Sequence, residues 1–113
     1  MPRIAIQTPL YRSAQYLPML LKSLKAQTYT NWKFYACENS GDLTERAKVK
    51  ELLEASGIPY YVEESLTNLG FAGGHNFAFA KTESEYILML NQDMYLESDC
   101  MEKLVRFLDA AQD

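Results

Sequence analysis

Short apolar runs alternate with stretches of helical periodicity along the chain. The strongest run covers residues 86–90, where five consecutive large apolar or aromatic residues precede Asn91, Gln92 and Asp93. Such a run predicts a strand that is buried on both faces and whose carboxyl end opens into a polar cluster. Three other runs predict further strands, at residues 4–6, 32–37 and 60–62.

The residues after the first run predict a loop and then a helix. Pro9 is expected to end the strand, because it lacks the N–H that a strand ladder needs. Beyond the loop, apolar residues recur at i, i+3, i+4 and i+7 and predict a helix that runs to about Gln27. Ser13 is a candidate N-cap, but Pro18 lies deep for that start, so the helix begins nearer Leu17 or has an irregular first turn. The four spaced residues are Leu17, Leu20, Leu21 and Leu24.

Capping and spacing signals predict three more helices. Asp42 with Glu45 resembles a capping box, and Gly57 ends that helix as a glycine at the C′ position does. A glycine-rich loop over residues 68–76 runs into a third helix. A residue at 98 or 99 caps the last helix. Its apolar positions are Met101, Leu104, Val105 and Leu108.

Alternation of strands and helices predicts an α/β fold in one domain over residues 1–113. We expect three layers, with a mostly parallel sheet and helices on both faces, in a Rossmann-like arrangement of about four strands and four helices. Because parallel strands place their carboxyl ends on one rim, the polar clusters that follow them predict a shared ligand site. The simpler alternative for Asp93 is that it starts a turn or caps the next helix. The clusters lie at residues 8–12, 38–42, 68–76 and 91–93.

Composition and charge narrow the choice of partner. The formal net charge of −4 and the pI near 5.0 argue against nucleic acid, because no basic stripe is present to bind its backbone. No apolar run approaches the length of a membrane span and no signal sequence precedes the first strand, so we expect an intracellular protein. Cys37 and Cys100 lack the spacing of a zinc site, which predicts buried or half-buried thiols in a reducing compartment.

The rim residues have the chemistry of a diphosphate site. Gly73 and Gly74 at a helix start let backbone N–H groups approach an anion, although a tight turn needs glycine equally. Asp93 and Asn91 offer the oxygen ligands that Mg²⁺ or Mn²⁺ takes while it bridges substrate phosphates. Tyr11 is placed to stack on a base or, more simply, to pack against the protein. The sequence contains neither a P-loop nor a G-x-G-x-x-G fingerprint after the first strand.

Five motifs occur in order along the chain. They are Thr8-Pro9-Leu10-Tyr11, Ala26-Gln27-Thr28-Tyr29, Glu38-Asn39-Ser40-Gly41-Asp42, Asn68-Leu69-Gly70-Phe71-Ala72-Gly73-Gly74-His75-Asn76 and Leu90-Asn91-Gln92-Asp93. Together they resemble the N-terminal half of a family 2 glycosyltransferase with the GT-A fold, and the last two are similar to its bacterial rhamnosyltransferase-like branch. The resemblance implies metal-dependent, inverting transfer of a sugar from a dTDP- or UDP-sugar to a hydroxyl of a glycan or lipid-linked acceptor.

The resemblance also implies roles for individual positions. Glu38 stands in place of an aspartate that reads the base, and Arg12 in place of an asparagine. His75 contacts the diphosphate when protonated, or else bonds to its neighbours at a helix start. Asn91-Gln92-Asp93 replaces the D-x-D motif, which leaves Asp93 as the metal ligand. The implied nucleotide- and donor-binding residues are Thr8, Pro9, Tyr11, Glu38, Asn39, Asn68, Gly73, Gly74, His75, Asn76 and Asn91.

No residue of the chain is assigned as the catalytic base. In an inverting GT-A enzyme that carboxylate follows the D-x-D segment, beyond the residues matched here. The chain therefore resembles a donor-binding half, either part of a longer protein or a natural short homologue. The alternative function is a non-catalytic α/β nucleotide-binding or assembly module. A nucleotidyltransferase is a weaker alternative, since Arg12 alone supplies its basic loop.

A sheet that lacks its remaining strands exposes the strand at residues 86–90. An apolar edge of this kind pairs readily with other chains, so we expect homo-oligomers through that edge. An enzyme with a lipid-linked acceptor is expected in the cytoplasm, with peripheral attachment to the inner face of the membrane.

Overall fold

Four strands and three helices make up the described part of the chain, which covers residues 2–38, 42–64 and 84–111 of a computed structural model. The strands are β1 (Ile4–Leu10), β2 (Trp32–Glu38), β3 (Tyr60–Glu64) and β4 (Tyr86–Met89). The helices are α1 (Leu17–Lys25), α2 (Leu43–Ser56) and α3 (Cys100–Ala110). All strand pairs are parallel, in the order β3-β2-β1-β4. The predicted parallel α/β sheet is confirmed.

One face of the sheet carries the hydrophobic core. Ile6 lies beside Phe34 and Leu88 in the strand register, and Phe34 lies beside Tyr60, so these side chains share a face. All of them belong to or pack against one hydrophobic cluster, to which each of the three helices contributes. The helix contributions are Leu17, Leu20, Leu21, Leu24, Val49, Leu53, Met101 and Val105. The fourth predicted helix, after the glycine-rich loop, lies outside the described residues.

β1 is longer than predicted, because it continues through Pro9 to Leu10. The Leu90 N–H donates to the carbonyl oxygen of Gln7, so the backbone of the odd-numbered residues of β1 faces β4. Pairing with β4 stops at Gln7, whereas pairing with β2 continues to Leu10. The backbone nitrogen of Pro9 therefore faces the β4 side of the sheet, beyond the point where pairing with β4 ends. The missing N–H of Pro9 costs no hydrogen bond between strands there. The prediction that Pro9 ends the strand was wrong.

β4 lies at one edge of the described sheet, next to β1. Ile87 and Met89 are 40% and 56% exposed, whereas Leu88 packs against the core. The prediction of a strand buried on both faces was therefore wrong, because only alternate residues of β4 face the core. The prediction that this strand forms an edge is confirmed.

Self-association through the β4 edge stays a prediction. An apolar edge strand without protecting charges pairs with other chains, so we expect static light scattering at high concentration to give the mass of a dimer or larger. Ile87→Lys places a charge on this edge and is expected to shift the protein toward monomer. A strictly monomeric unsubstituted chain at every concentration would contradict the prediction.

Local signals set both ends of α2, as predicted. Asp42 accepts hydrogen bonds from the N–H groups of Thr44 and Glu45 and so caps the first turn. Gly57 follows the last turn in the left-handed conformation, with φ 73°. Both ends of α2 are therefore specified within a few residues of sequence.

α1 and α3 begin without side-chain caps. Tyr16 occupies the N-cap position of α1, so the prediction of Ser13 as N-cap was wrong. The Ser13 carbonyl oxygen instead accepts the first two N–H groups at the helix start, and Pro18 fits the first turn. Asp99 precedes α3, as predicted, but its carboxylate pairs with Lys103 at 2.9 Å and makes no cap hydrogen bond.

Arg3 connects the start of β4 to the end of α3. Its guanidinium contacts the Glu85 carboxylate and lies 2.6 Å from Oδ1 of Asp109, to which the Tyr86 hydroxyl also donates at 2.7 Å. These bonds from Arg3 and Tyr86 lower the pKa of the Asp109 carboxyl below its usual value. This cluster lies at the end of the sheet where the strands begin. The candidate site lies at the opposite end, where the strands end.

The prediction of buried or half-buried thiols is confirmed. Cys37 is a buried free thiol and Cys100 a partly exposed one. No described helix is long and apolar enough to cross a membrane, and the longest, α2, has 14 residues.

Candidate functional site

The carboxyl ends of the strands bring part of the predicted site together. β1 ends beside Tyr11, β2 ends at Glu38, and β4 leads into residues 91–93. The other predicted donor-binding positions lie outside the described residues; they are Asn39, Asn68, Gly73, Gly74, His75 and Asn76. The described residues of the site are those at the carboxyl ends of β1, β2 and β4.

Thr8 and Pro9 lie within β1, below the rim. The Thr8 side chain has no exposed surface and points to the same face as Ile6 and Leu10. Its hydroxyl is buried and has no hydrogen-bond partner in the described structure. Pro9 is half-buried. Of the four residues in the first motif, Tyr11 is thus the one with a largely exposed side chain.

Tyr11 lies in the loop after β1, outside the core. Its side chain is 41% exposed, so part of the ring is accessible at this edge of the sheet. The Arg12 guanidinium carbon lies 5.4 Å from the centre of the Tyr11 ring, within the range of a cation–π contact. An exposed aromatic ring at the carboxyl edge of a parallel sheet is suited to stacking on a flat ligand.

The side chain of Gln92 joins the loop after β1 to the turn after β4. Its Oε1 accepts the Tyr11 N–H at 2.8 Å, and its Nε2 donates to the Tyr11 carbonyl oxygen at 2.9 Å. We call this pair of bonds the Gln92 bridge. The sequence did not predict it, because nothing local distinguishes Gln92 from any other polar turn residue. The bridge places Tyr11 next to the segment that carries Asn91 and Asp93.

Residues 91–94 form a turn directly after β4. The Met94 N–H donates to the Asn91 carbonyl oxygen at 3.2 Å, and Leu90 N–H still bonds to β1. Asp93 is exposed and lies inside this turn, which begins at Asn91. No group of three or more His, Cys, Asp or Glu side chains within the described ranges is arranged to hold a metal ion.

Two carboxylates lie at or near the carboxyl ends of β2 and β3. Glu38 is 1% exposed at the end of β2, and Glu63 lies beside Cys37 in the register. Burial, with the nearby charges of Glu38 and Glu63, raises the pKa of the Cys37 thiol to about 11. Cys37 is therefore protonated near neutral pH and is not a nucleophile. The Tyr61 hydroxyl donates to the Glu63 carboxylate.

The N-terminus of α2 braces the loop after β1. Oε1 of Glu45 accepts the N–H of Ala14 at 2.9 Å, instead of closing the capping box with Asp42 that the sequence predicts. The loop is thus held at Tyr11 by the Gln92 bridge and at Ala14 by Glu45. Gln92 follows β4, which lies on one side of β1 in the sheet. Glu45 is in α2, which follows β2 on the other side of β1.

Arg12 lies between the two anchors in a left-handed conformation, with φ 48°. A side chain with a Cβ pays about 1 kcal/mol in this region, and glycine does not. We expect Arg12→Gly to raise the free energy of unfolding by up to about 1 kcal/mol, as measured by urea denaturation. Arg12→Ala, which keeps the Cβ, is the control and is expected to give no gain. A loss of stability in Arg12→Gly larger than in Arg12→Ala would contradict this account.

Comparison with known proteins identifies the family. The family model described as Glycosyl transferase family 2 matches residues 5–113. The chain belongs to this family. Its membership agrees with the motif resemblance and favours a glycosyltransferase over a nucleotidyltransferase.

Individual relatives in family 2 and similar solved structures agree with this assignment. The chain is 24% identical over 104 residues to glycosyltransferase GlyA of Streptococcus pneumoniae serotype 4, a match that covers 92% of this chain and 15% of GlyA. It is 25% identical to S. aureus TarS 1-349 in complex with UDP, with a TM-score of 0.82 over 96% of this chain and 32% of that one.

A third similarity concerns the fold alone. The mannosyltransferase PcManGT from Pyrobaculum calidifontis, in complex with GDP-Man and Mn²⁺, is 18% identical, with a TM-score of 0.84 over 95% of this chain and 32% of that one. The GT-A-like fold is therefore confirmed. The chain spans less than a third of each of these solved structures and a smaller part of GlyA.

Proposed function

We propose that this chain is the donor-binding half of an inverting family 2 glycosyltransferase and binds a nucleoside-diphosphate sugar. The observation that carries the proposal is the Gln92 bridge, which sets an exposed tyrosine beside the turn that holds Asp93 at the carboxyl edge of the sheet. Ligands of open α/β sheets bind at that edge. Family membership supplies the chemistry, which is transfer of a sugar.

The charges at this edge favour a metal-dependent donor site. The exposed carboxylate of Asp93 would repel a bare diphosphate that lies beside it. Asp93 is exposed and Asn91 adds an amide oxygen, which are donors that Mg²⁺ and Mn²⁺ accept when substrate phosphates complete the coordination. Asp93, with Asn91, would hold such a cation, which would supply positive charge against a departing diphosphate. The complex of PcManGT with GDP-Man and Mn²⁺ is consistent with this use of a cation.

The remaining partners are proposed from the family. UDP is the first choice of nucleotide, since TarS structures contain UDP and UDP-GlcNAc. A dTDP-sugar and a rhamnosyl donor rest on the motif resemblance alone. The acceptor is a hydroxyl of a glycan or lipid-linked sugar. We place the protein in the cytoplasm, at the inner face of the membrane when the acceptor is lipid-linked.

Calorimetric titration of the chain with UDP, dTDP and GDP, with and without Mn²⁺, tests the proposal. We expect binding of UDP or dTDP that Mn²⁺ strengthens on the order of tenfold or more, because the cation offsets the carboxylate of Asp93. Asp93→Asn keeps the shape of the side chain and removes its charge, so the effect of Mn²⁺ is expected to disappear. Glu51→Gln removes one charge from an exposed position on α2 and serves as the matched control.

The outcomes separate the two classes of function. Metal-dependent binding lost in Asp93→Asn and kept in Glu51→Gln supports the donor site. Nucleotide binding that is equally strong with and without Mn²⁺ would show that the donor site does not depend on a metal ion. Absence of binding by the folded chain would favour the non-catalytic assembly module instead.

A further inference from the structure

The Gln92 bridge joins two segments that are far apart in the chain. Tyr11 and Gln92 are 81 residues apart, and the two bonds between them have lengths of 2.8 and 2.9 Å. Both bonds go to the main chain of the same residue. One carboxamide therefore fixes the distance of the loop from the turn and also its orientation.

The two segments carry different parts of the proposed site. Tyr11 presents its ring for the base, and Asp93 lies next to Gln92 in the turn that binds the cation. We infer that Gln92 is a positioning residue that makes nucleotide binding and metal binding depend on each other. This inference rests on the proposed function, since it names how the two halves of that site are coupled.

The bridge requires a side chain that both accepts and donates a hydrogen bond, as a carboxamide does. The partner is a peptide N–H and a peptide carbonyl, so the bridging side chain must accept one hydrogen bond and donate another. Glutamate has no donor when ionised, and alanine has neither group. Each bond contributes little to the free energy of unfolding, because both are exposed to water. The main effect of the bridge is therefore on the relative position of the two segments.

Titration of the Gln92 variants with UDP and dTDP, with and without Mn²⁺, tests the coupling. In Gln92→Ala we expect the strengthening of nucleotide binding by Mn²⁺ to fall about tenfold, with a smaller loss in the absence of metal. Gln92→Asn is the conservative comparison, because it keeps the carboxamide donor and acceptor on a side chain that is one methylene shorter. We expect Gln92→Asn to retain more of the effect of Mn²⁺ than Gln92→Ala does.

A second glutamine in the same loop provides the control. Gln15 is exposed between β1 and α1, and Gln15→Ala makes the same truncation without touching the bridge. We expect Gln15→Ala to keep the effect of Mn²⁺ on nucleotide binding. A folded Gln92→Ala that binds nucleotide with unchanged metal coupling would overturn the inference.

Hydrogen exchange of the Tyr11 amide separates failure of the bridge from failure of the proposed function. This amide donates to Gln92, so its exchange is expected to be faster in Gln92→Ala whether or not a nucleotide binds. If the unsubstituted chain binds no nucleotide, the proposed function and the coupling role fall together even when exchange confirms the bridge. If nucleotide binds and Tyr11 exchanges equally in both proteins, the bridge alone is refuted.

Discussion

Phe34→Ala is expected to lower the free energy of unfolding by about 3–5 kcal/mol. Phe34 is fully buried in β2, one of the two inner strands, and is the largest of the fully buried side chains. It lies between Ile6 of β1 and Tyr60 of β3 in the register. Removal of the ring leaves a cavity. The hydrogen-bonded strands on both sides of β2 limit how far neighbouring side chains can move into that cavity, so the loss of stability is large.

Urea unfolding followed by circular dichroism measures the effect. Phe107→Ala is the matched control, because it makes the same chemical change on α3 where the ring is 71% exposed; we expect less than about 0.5 kcal/mol. A domain of this size has a total stability of about 5–15 kcal/mol, so Phe34→Leu, expected at about 1–2 kcal/mol, keeps the comparison measurable if Phe34→Ala does not fold. Equal losses at positions 34 and 107 would refute the assignment of the core.

Gln27→Leu is expected to cost about 2–4 kcal/mol. Gln27 follows α1 and is 5% exposed. Its Nε2 donates to the carbonyl oxygens of Glu97 at 2.7 Å and Ser23 at 3.1 Å, and its Oε1 accepts the Met101 N–H at 3.1 Å. Leucine fills the volume but satisfies none of these buried backbone groups, which then bear the cost of desolvation without a partner.

The same unfolding experiment tests this cost. Gln15→Leu is the control at an exposed position and is expected to stay within about 0.5 kcal/mol of the unsubstituted chain. Because Gln27 joins α1 to the start of α3, hydrogen exchange in α3 is also expected to rise. A Gln27→Leu variant as stable as Gln15→Leu would show that water replaces these bonds without loss.

The elements that local chemistry specifies were predicted well. α2 is the clearest case, because a capping aspartate and a left-handed glycine act within one turn of the residues they affect. The leucines of α1 were predicted to be core residues for the same reason, since a spacing of three and four puts them on one face of any helix. The pattern of β1, β2 and β3 likewise indicated parallel strands.

Predictions failed where pairing decides the result. Pro9 is accepted within β1 because β4 ends before reaching it, and the length of β4 is not encoded near Pro9. β4 has the most apolar sequence of the four strands, yet it lies at an edge with Ile87 and Met89 exposed. An apolar run predicts a strand, but the order of the strands decides whether it lies inside the sheet or at an edge.

The sequence by itself determined the fold class, the family and the candidate rim residues of this protein, because periodicity, caps and motifs are local properties of the chain. Only the tertiary structure decided which of those residues reach the surface and which reach each other. Thr8 is buried while Tyr11 is exposed, and Gln92, a motif residue to which the sequence assigned no role, holds Tyr11 beside Asp93. A contact across 81 residues depends on strand order and register, which place the two chain segments side by side and which no local pattern specifies.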